Sequence, residues 1–366
     1  MMSSTSSTSA LARRRIGEIF QQSALAPATS SSSSSSTTKP AAVFGVEFVP
    51  ADDKTVVAQR ISRTQKWQPA WVGVTWHVTQ ADQSRKTLQL VQNLTQNTEL
   101  NCMMHLTCRD MTKTQIREVL DQCKALGVRN ILALRGDGMT AGTPKGDHGG
   151  ATTSTSSSPV TTEAAVEGTG CEVDDKNVVN KNHSDQQFQY AIELIQFIRT
   201  EYGDFFGIAC AGYPEMHPDS KQDLEKDIFF LKQKVAAGAD VIITQFFYDV
   251  GKFFEFKIQC RKSGIECPII PGIMPITSYA RLGKINRWNP TAAVPAALRE
   301  ELEKRKEDGA ALRAFGIEEC VRSCRLLLEE EYGAAEGEKF LPGLYFFTLN
   351  QDDVIHEILK ALKLVE

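Results

Sequence analysis

Short apolar runs alternate along this chain with longer stretches of helical period. The runs lie at Val43–Val49, Trp71–Trp76, Cys102–Thr107, Asn130–Leu134, Ile208–Gly212, Val241–Phe247, Pro268–Gly272 and Leu344–Leu349. Each is nearly continuous in apolar residues, the pattern of a strand covered on both faces in a parallel sheet. Between them, Thr112 with Gln115 makes a capping-box start, and Ile116, Val119, Leu120, Cys123 and Leu126 form one apolar stripe that stops at Gly127. Ser184 with Gln187 predicts a second helix start, with Phe188, Ala191, Ile192, Ile195 and Ile198 facing inward. Leu224, Ile228, Leu231 and Val235 stripe a third helix, ended by Gly238. The last gap, Thr277 to Pro342, has room for extra helices. Strand–helix alternation of this length predicts an α/β fold closed as a (β/α)8 TIM barrel. A doubly wound open sheet is the alternative, but the first strand runs into Pro50-Ala51-Asp52 with no glycine fingerprint.

Two stretches break the pattern. Residues 1–40 are rich in Ser, Thr and Ala, with serine at every position from Ser30 to Ser36, and are expected to be a disordered tail. Arg13-Arg14-Arg15 with no acid before Glu18 suits an organelle transit peptide, and hence a mitochondrial destination. The early Glu18 favours the other reading, a cytosolic tail on a cytoplasmic protein. Residues 138–183 are expected to be a flexible insertion after the fourth strand, so one catalytic barrel spans 41–366 around it. Gly136 to Lys145 faintly resembles a phosphate loop, but no Gly-Lys-Ser/Thr follows.

Composition narrows the classes. Apolar residues are 42% and charged residues 23%, ordinary for a globular chain. A net charge of -4 argues against nucleic acid as a partner. No apolar stretch reaches the roughly 18 residues of a membrane span. Cys102, Cys108, Cys123, Cys210 and Cys267 fall inside apolar elements and read as reduced, buried thiols of an intracellular protein. Cys320 and Cys324 sit one helical turn apart with no further ligand to complete a metal site. His77, His105 and His217 stand at different offsets from their strand ends, so zinc is not expected.

Chemistry in such a barrel sits at the carboxyl ends of the strands. Those ends carry Glu47, Thr75 with His77, His105 with Thr107, Asp137, Tyr213, Gln245 and Asn350. Glu47, between Val46 and Phe48, is expected to be desolvated and protonated near neutrality, as a general acid requires. The alternative for it, and equally for Asp137, is an ion pair with an arginine across the barrel. Asp137, beside Arg135 and Gly136, is placed to stay ionised and stabilise a positive charge. His105 lies within its strand, and periodicity leaves open whether it is a core histidine or a ligand contact.

Read in order, Val74-Thr75-Trp76-His77, His105-Leu106-Thr107-Cys108, Leu134-Arg135-Gly136-Asp137, Ala211-Gly212-Tyr213-Pro214-Glu215-Met216-His217-Pro218, Ile243-Thr244-Gln245-Phe246-Phe247, Pro271-Gly272-Ile273-Met274-Pro275-Ile276 and Phe347-Thr348-Leu349-Asn350 form a consistent series. The series resembles the catalytic domain of the methylenetetrahydrofolate reductases, flavin-dependent barrel enzymes of one-carbon metabolism, in their eukaryotic form. The resemblance runs over about residues 43–364 outside the insertion. It implies FAD as cofactor, NADPH or NADH as hydride donor, methylenetetrahydrofolate as substrate and a ping-pong cycle. It implies that Glu47 is the acid that protonates N10 of the folate, and that Asp137 stabilises the resulting 5-iminium cation. Gln245 would bind folate and meet the nicotinamide. Thr75, His105, Arg135, Gly136, Asp137, Tyr213, Asp227 and Lys234 match flavin-contacting positions, Thr75 also borders the substrate, and Ile285 matches an apolar residue covering the site. A basic side chain such as Lys234 suits the flavin's diphosphate.

The chain departs from the family around the acid, where it reads Val46-Glu47-Phe48-Val49-Pro50-Ala51, and at Gln351, where the family carries arginine. The insertion is longer than usual. The chain stops where the barrel does, so regulation through an S-adenosylmethionine-binding domain is not expected of it. Two other readings stay open: a flavin-free barrel lyase, and a folate- and flavin-binding barrel without turnover.

Overall fold

The computed structural model describes residues 13–21, 42–76, 81–136, 187–220, 223–329 and 343–366. Eight parallel strands run in sequence order and close into a barrel. They are β1 (Val43–Phe48), β2 (Trp71–Val74), β3 (Cys102–Thr107), β4 (Asn130–Leu134), β5 (Gly207–Gly212), β6 (Val241–Phe246), β7 (Ile269–Ile273) and β8 (Gly343–Phe346). Closure comes from β8 pairing with β1, in the register Gly45 to Tyr345 and Val46 to Phe346. The predicted (β/α)8 barrel is therefore the fold. The observed β2 and β8 are shorter than their apolar runs because Thr75 and Phe347 leave the regular ladder. Each keeps one backbone bond, Thr75 N–H to Phe48 O at 3.0 Å and Phe347 N–H to Ile273 O at 2.8 Å.

Alternation along the strands sorts the side chains into two cores. Trp71, Met103, Leu132, Ala209, Val241, Ile243, Ile270 and Tyr345 fill the barrel interior. The other face of each strand packs on the surrounding helices: α2 (Lys54–Trp67), α3 (Ala81–Asn97), α4 (Lys113–Ala125), α5 (Ala191–Tyr202), α6 (Leu224–Ala236) and α7 (Val250–Lys262). After β7 the chain forms α8 (Tyr279–Leu282), α9 (Ile285–Trp288), α10 (Ala296–Lys304) and α11 (Gly309–Glu329), and α12 (Asp352–Ala361) follows β8. This crossover builds its own apolar cluster from Leu282, Ile285, Ala292, Val294, Leu302 and Leu312 against Phe246, Met274 and Ile276.

The capping box Thr112/Gln115 forms as predicted at the start of α4. The start predicted at Ser184 lies outside the described residues, and the described helix α5 begins at Ala191. There Glu193 caps the helix, its carboxylate accepting from the backbone N–H groups of Gln189 and Tyr190 at 2.6 and 3.0 Å. Gln187 instead makes an isolated antiparallel bridge with Thr112.

One correction concerns the tail. Residues 13–21, inside the stretch expected to be disordered, include a short helix, α1 (Ile16–Gln21), docked at the amino-terminal end of the barrel. Ile16 and Phe20 are fully buried and Ile19 nearly so. Their i, i+3, i+4 spacing makes one apolar face, and each full burial contributes roughly 2 kcal/mol. Phe20 meets Trp71 edge-on at 5.9 Å. Asn130, at the start of β4, fastens the segment by accepting from Ile16 N–H at 2.5 Å and donating to Arg14 O at 3.0 Å. The remainder of 1–40 and the insertion 138–183 lie outside the described residues.

No described helix is long and apolar enough to cross a membrane. Cys102, Cys108, Cys123 and Cys210 are buried free thiols, and Cys267 is half-buried. Among the described residues no cluster of three or more His, Cys, Asp or Glu could hold a metal ion.

Candidate active site

Glu47 is 5% exposed near the carboxyl end of β1 and points into the barrel. The turn after β8 holds it there. The Thr348 hydroxyl donates to Glu47 O at 2.7 Å. Leu349 and Asn350 both take left-handed backbone angles, with φ of 44° and 61°. This uncommon pair turns the Leu349 N–H onto the Glu47 carboxyl. Burial pushes that carboxyl up to about 7, and the Leu349 amide opposes the shift without cancelling it. The Oε1 atom is buried without a hydrogen-bond partner. The expected desolvation of Glu47 is observed. The alternative arginine pair is not formed among the described residues: Arg60, behind β1, is bound to Asp352 at 2.9 Å.

Gly73 is the register partner of Glu47 on β2. Two residues on, the Thr75 hydroxyl is buried with no partner. His105 on β3 sits deeper, 6% exposed, with Nε2 at 2.9 Å from the Tyr345 hydroxyl. That contact sets its imidazole in the interior layer of the barrel.

A cleft of about 590 Å³ opens between the ends of β4 and β5 and the helices α5 and α6. Arg135, Tyr213, Asp227 and Lys234 all line it, so four of the flavin-contacting candidates converge. Arg135 pairs with Asp219 at 2.7 Å, which holds the Asp219 carboxyl below its usual range. Tyr213 packs edge-on against His217 at 4.6 Å. Asp227 accepts the His217 backbone N–H, and burial raises its carboxyl. Burial also pushes the His217 imidazole below its ordinary range. Lys234 reaches from α6 to donate to Ala211 O at 2.6 Å. Gly136 closes the β4 side with φ of 88°, and a Cβ there would press on the Thr107 side chain at 3.0 Å. Asp137 and His77 lie outside the described residues.

Gln245 is half-buried on β6, its Oε1 accepting the Phe246 N–H at 3.0 Å. Ile285 is 1% exposed and packs in the cluster that contains Phe246. It braces the residue after Gln245 from within the crossover core and does not face the open cleft. Every described candidate thus sits toward the carboxyl-terminal end of the barrel, with the cleft residues on the β4–β5 side, Glu47 and Thr75 on the β1–β2 side and Gln245 on β6.

Three residues near these strand ends were not singled out from sequence. Asp219 follows His217-Pro218 in a surface loop and gains meaning only through Arg135. Glu215 carries a buried unpartnered Oε2, and burial lifts its carboxyl to about 7. Tyr345 is inward-facing by strand alternation, a signal that counting from Phe347 would have found.

A family model described as methylenetetrahydrofolate reductase matches residues 34–156 and 165–363. The chain is 32% identical over 328 residues to the Caenorhabditis elegans protein named "Probable methylenetetrahydrofolate reductase (NADPH)", covering 88% of this chain and 42% of that one. It is 32% identical over 334 residues to the Arabidopsis thaliana protein named "Methylenetetrahydrofolate reductase (NADH) 1", covering 88% and 48%. A Pectobacterium carotovorum protein named "5,10-methylenetetrahydrofolate reductase" is 27% identical, covering 86% and 88%. The chain spans less than half the length of these eukaryotic relatives. Among solved structures, a Clostridium thermocellum protein described as binding two copies of 5-methyl-5,6,7,8-tetrahydrofolic acid superposes with a TM-score of 0.53 at 10% identity, covering 88% of this chain and 96% of that one. At that identity the likeness speaks for the fold alone.

Proposed function

Because this chain belongs to the methylenetetrahydrofolate reductase family, we propose that it reduces 5,10-methylenetetrahydrofolate to 5-methyltetrahydrofolate with NADH or NADPH as donor and FAD as cofactor. The observation that carries the reading is Glu47: a buried carboxyl raised to about 7, with one oxygen unpartnered at the barrel mouth. A carboxyl so poised can deliver a proton at neutral pH. Relatives' names specify NADPH in the worm protein and NADH in the plant protein, so both donors are tested.

The cleft residues fit a flavin dinucleotide. Arg135, Lys226 and Lys234 supply positive charge for a diphosphate, Leu134, Phe230 and Leu231 supply apolar wall, and the unpartnered Thr75 hydroxyl is a hydrogen-bonding group near the mouth. When bound, FAD would carry hydride from the nicotinamide to the folate in two separate half-reactions.

The protein's own part is proton placement and orientation. Glu47 donates its proton to N10, and opening of the imidazolidine ring leaves positive charge at N5 of the folate. We assign Asp137, next in sequence to Gly136, the stabilisation of that charge. Gln245 orients the pterin. Among the described residues no strand ends on lysine, the nucleophile a Schiff-base lyase would use. We also propose a cytoplasmic location, in keeping with Arg13 and Arg15 of the basic run bonding to the backbone of the barrel.

An absorbance spectrum of the purified protein tests the proposal. A yellow protein, bleached anaerobically by NADH or NADPH and restored by methylenetetrahydrofolate, is the expected result. A colourless protein that gains no flavin on reconstitution would overturn it.

A further inference from the structure

We propose that Tyr345 is a positioning residue that keeps the His105 imidazole engaged and away from Glu47, so that the acid's proton remains on Glu47 until substrate takes it. This rests on the reading of Glu47 as the general acid.

The geometry is a floor beneath the acid. The Tyr345 hydroxyl and His105 Nε2 lie 2.9 Å apart, both residues buried. The Tyr345 ring is held on two sides. Trp71 stacks on it with centroids 6.0 Å apart and planes 7° apart, and Phe347 meets it edge-on at 5.2 Å. Room for the hydroxyl exists because β2 carries Gly73 at that point. A Cβ on Gly73 would overlap both the Tyr345 hydroxyl and His105 Nε2. Gly73 is also the residue paired in register with Glu47. The hydroxyl–imidazole pair therefore occupies the gap next to the acid.

A histidine beside a buried carboxyl is a hazard to an acid catalyst. If Nε2 turned to Glu47, the carboxyl proton would pass to the imidazole and leave an ion pair, which is no longer an acid of the right strength. Tyr345 prevents this by filling Nε2 with a hydroxyl that stays protonated, since burial and the nearby Glu47 push it well above the usual phenol range. Among the described residues, β8 presents Tyr345 to Glu47, the turn after β8 presents the Leu349 amide, β2 presents Gly73 and Thr75, and β3 brings His105 in through its contact with the Tyr345 hydroxyl. Cys102 lies on the helix side of β3 but close enough to act on Tyr345, and burial raises its thiol. Arg60 of α2 lies over the Phe48 ring, tied to Asp352 of α12.

The test compares Tyr345→Phe, Gly73→Ala and Tyr345→Phe/His105→Gln with the parent protein. Glu47 is titrated directly by difference infrared spectroscopy of its protonated-carboxyl stretch, with Glu47→Gln to assign the band. Folate reduction is followed against pH in parallel. Tyr345→Phe should move the Glu47 titration and the alkaline limb of folate reduction down by about one pH unit, about a tenfold loss of rate above neutrality. Nicotinamide-driven flavin reduction should not change. Gly73→Ala, whose Cβ would crowd both the Tyr345 hydroxyl and His105 Nε2 and part them, should shift the same way, and the double variant should recover the parent titration. A Glu47 band that does not move in Tyr345→Phe, or a shift that survives loss of His105, overturns the proposal. Should Tyr345→Phe fail to fold, Gly73→Ala carries the same test. If Glu47→Gln itself keeps full folate turnover, the acid assignment has failed, a separate outcome from failure of the Tyr345 role.

Discussion

Asn350 pairs with Val49 as though it were one more residue of strand. Its Oδ1 accepts the Val49 N–H at 3.1 Å and its Nδ2 donates to Val49 O at 3.0 Å. The side chain thus extends the β8–β1 ladder past the last regular register pair, two residues beyond Glu47. Together with Thr348 on Glu47 O, it fixes the backbone from which the acid projects. Asn350→Ala removes both bonds at a cost of about 1–2 kcal/mol. We expect a modest fall in melting temperature and a fall of about tenfold or more in folate reduction, with flavin affinity unchanged. Asn350→Asp, which keeps the acceptor and loses the donor, should fall between. Equal losses in the folate and nicotinamide half-reactions would contradict a local role.

Glu47 also makes a prediction about stability. Its folded carboxyl lies near 7 against an ordinary 4.5, so the folded state holds the proton more tightly than the unfolded one. Stability from this group is fully present below about pH 4.5 and is lost as pH rises through about 7. At pH 8 the loss is about 3 kcal/mol as an order of magnitude. Glu47→Gln removes the titration. The variant should match the parent at pH 5, exceed it in melting temperature at pH 8, retain flavin reduction and fail in folate reduction.

The barrel was legible because parallel strands covered on both faces read as unbroken apolar runs, and a polar residue at each run's end marks the mouth. Glu47 could be read as a desolvated acid from Val46 and Phe48 alone. What escaped is what depends on distant partners. α1 hides in a serine-rich tail because average composition outweighs three apolar residues, Ile16, Ile19 and Phe20, whose value depends on an open barrel end. The Glu193 cap of α5 escaped because Ser184/Gln187 and Glu193 offer competing caps in sequence, and only the bonds to Gln189 and Tyr190 mark Glu193. The His105–Tyr345 pair joins β3 to β8 across the barrel, and no spacing in the chain encodes that meeting.

Lys234 offers a test of the cleft. It sits in the last turn of α6 and crosses to Ala211 O at 2.6 Å, which places its charge at the end of β5. Lys234→Met keeps the packing of the stem and deletes the charge. We expect flavin affinity to weaken roughly tenfold by fluorescence-quenching titration, since charge-assisted bonds to phosphate contribute about 1.5–3 kcal/mol in partly buried settings. The far-ultraviolet circular dichroism should be unchanged. Unaltered flavin affinity would move the diphosphate away from this side of the cleft.

The floor of the barrel supplies the last prediction. Phe20 is fully buried, edge-on to Trp71, which in turn stacks on Tyr345. Truncation to alanine leaves a cavity beneath a stacked column, and such changes in a core cost about 3–5 kcal/mol when the surroundings do not collapse. The plug is a single short helix on the opposite end from the cleft, so some of that cost is recoverable by its movement. Phe20→Ala should lower the denaturation midpoint without changing the flavin spectrum of the folded protein. Asn130→Ala, which releases Ile16 and Arg14 from the start of β4, should destabilise in the same direction. Denaturant titration followed by tryptophan fluorescence reads both, because Trp71 lies against Phe20. If neither variant shifts the midpoint, α1 rests on the barrel without contributing to its stability.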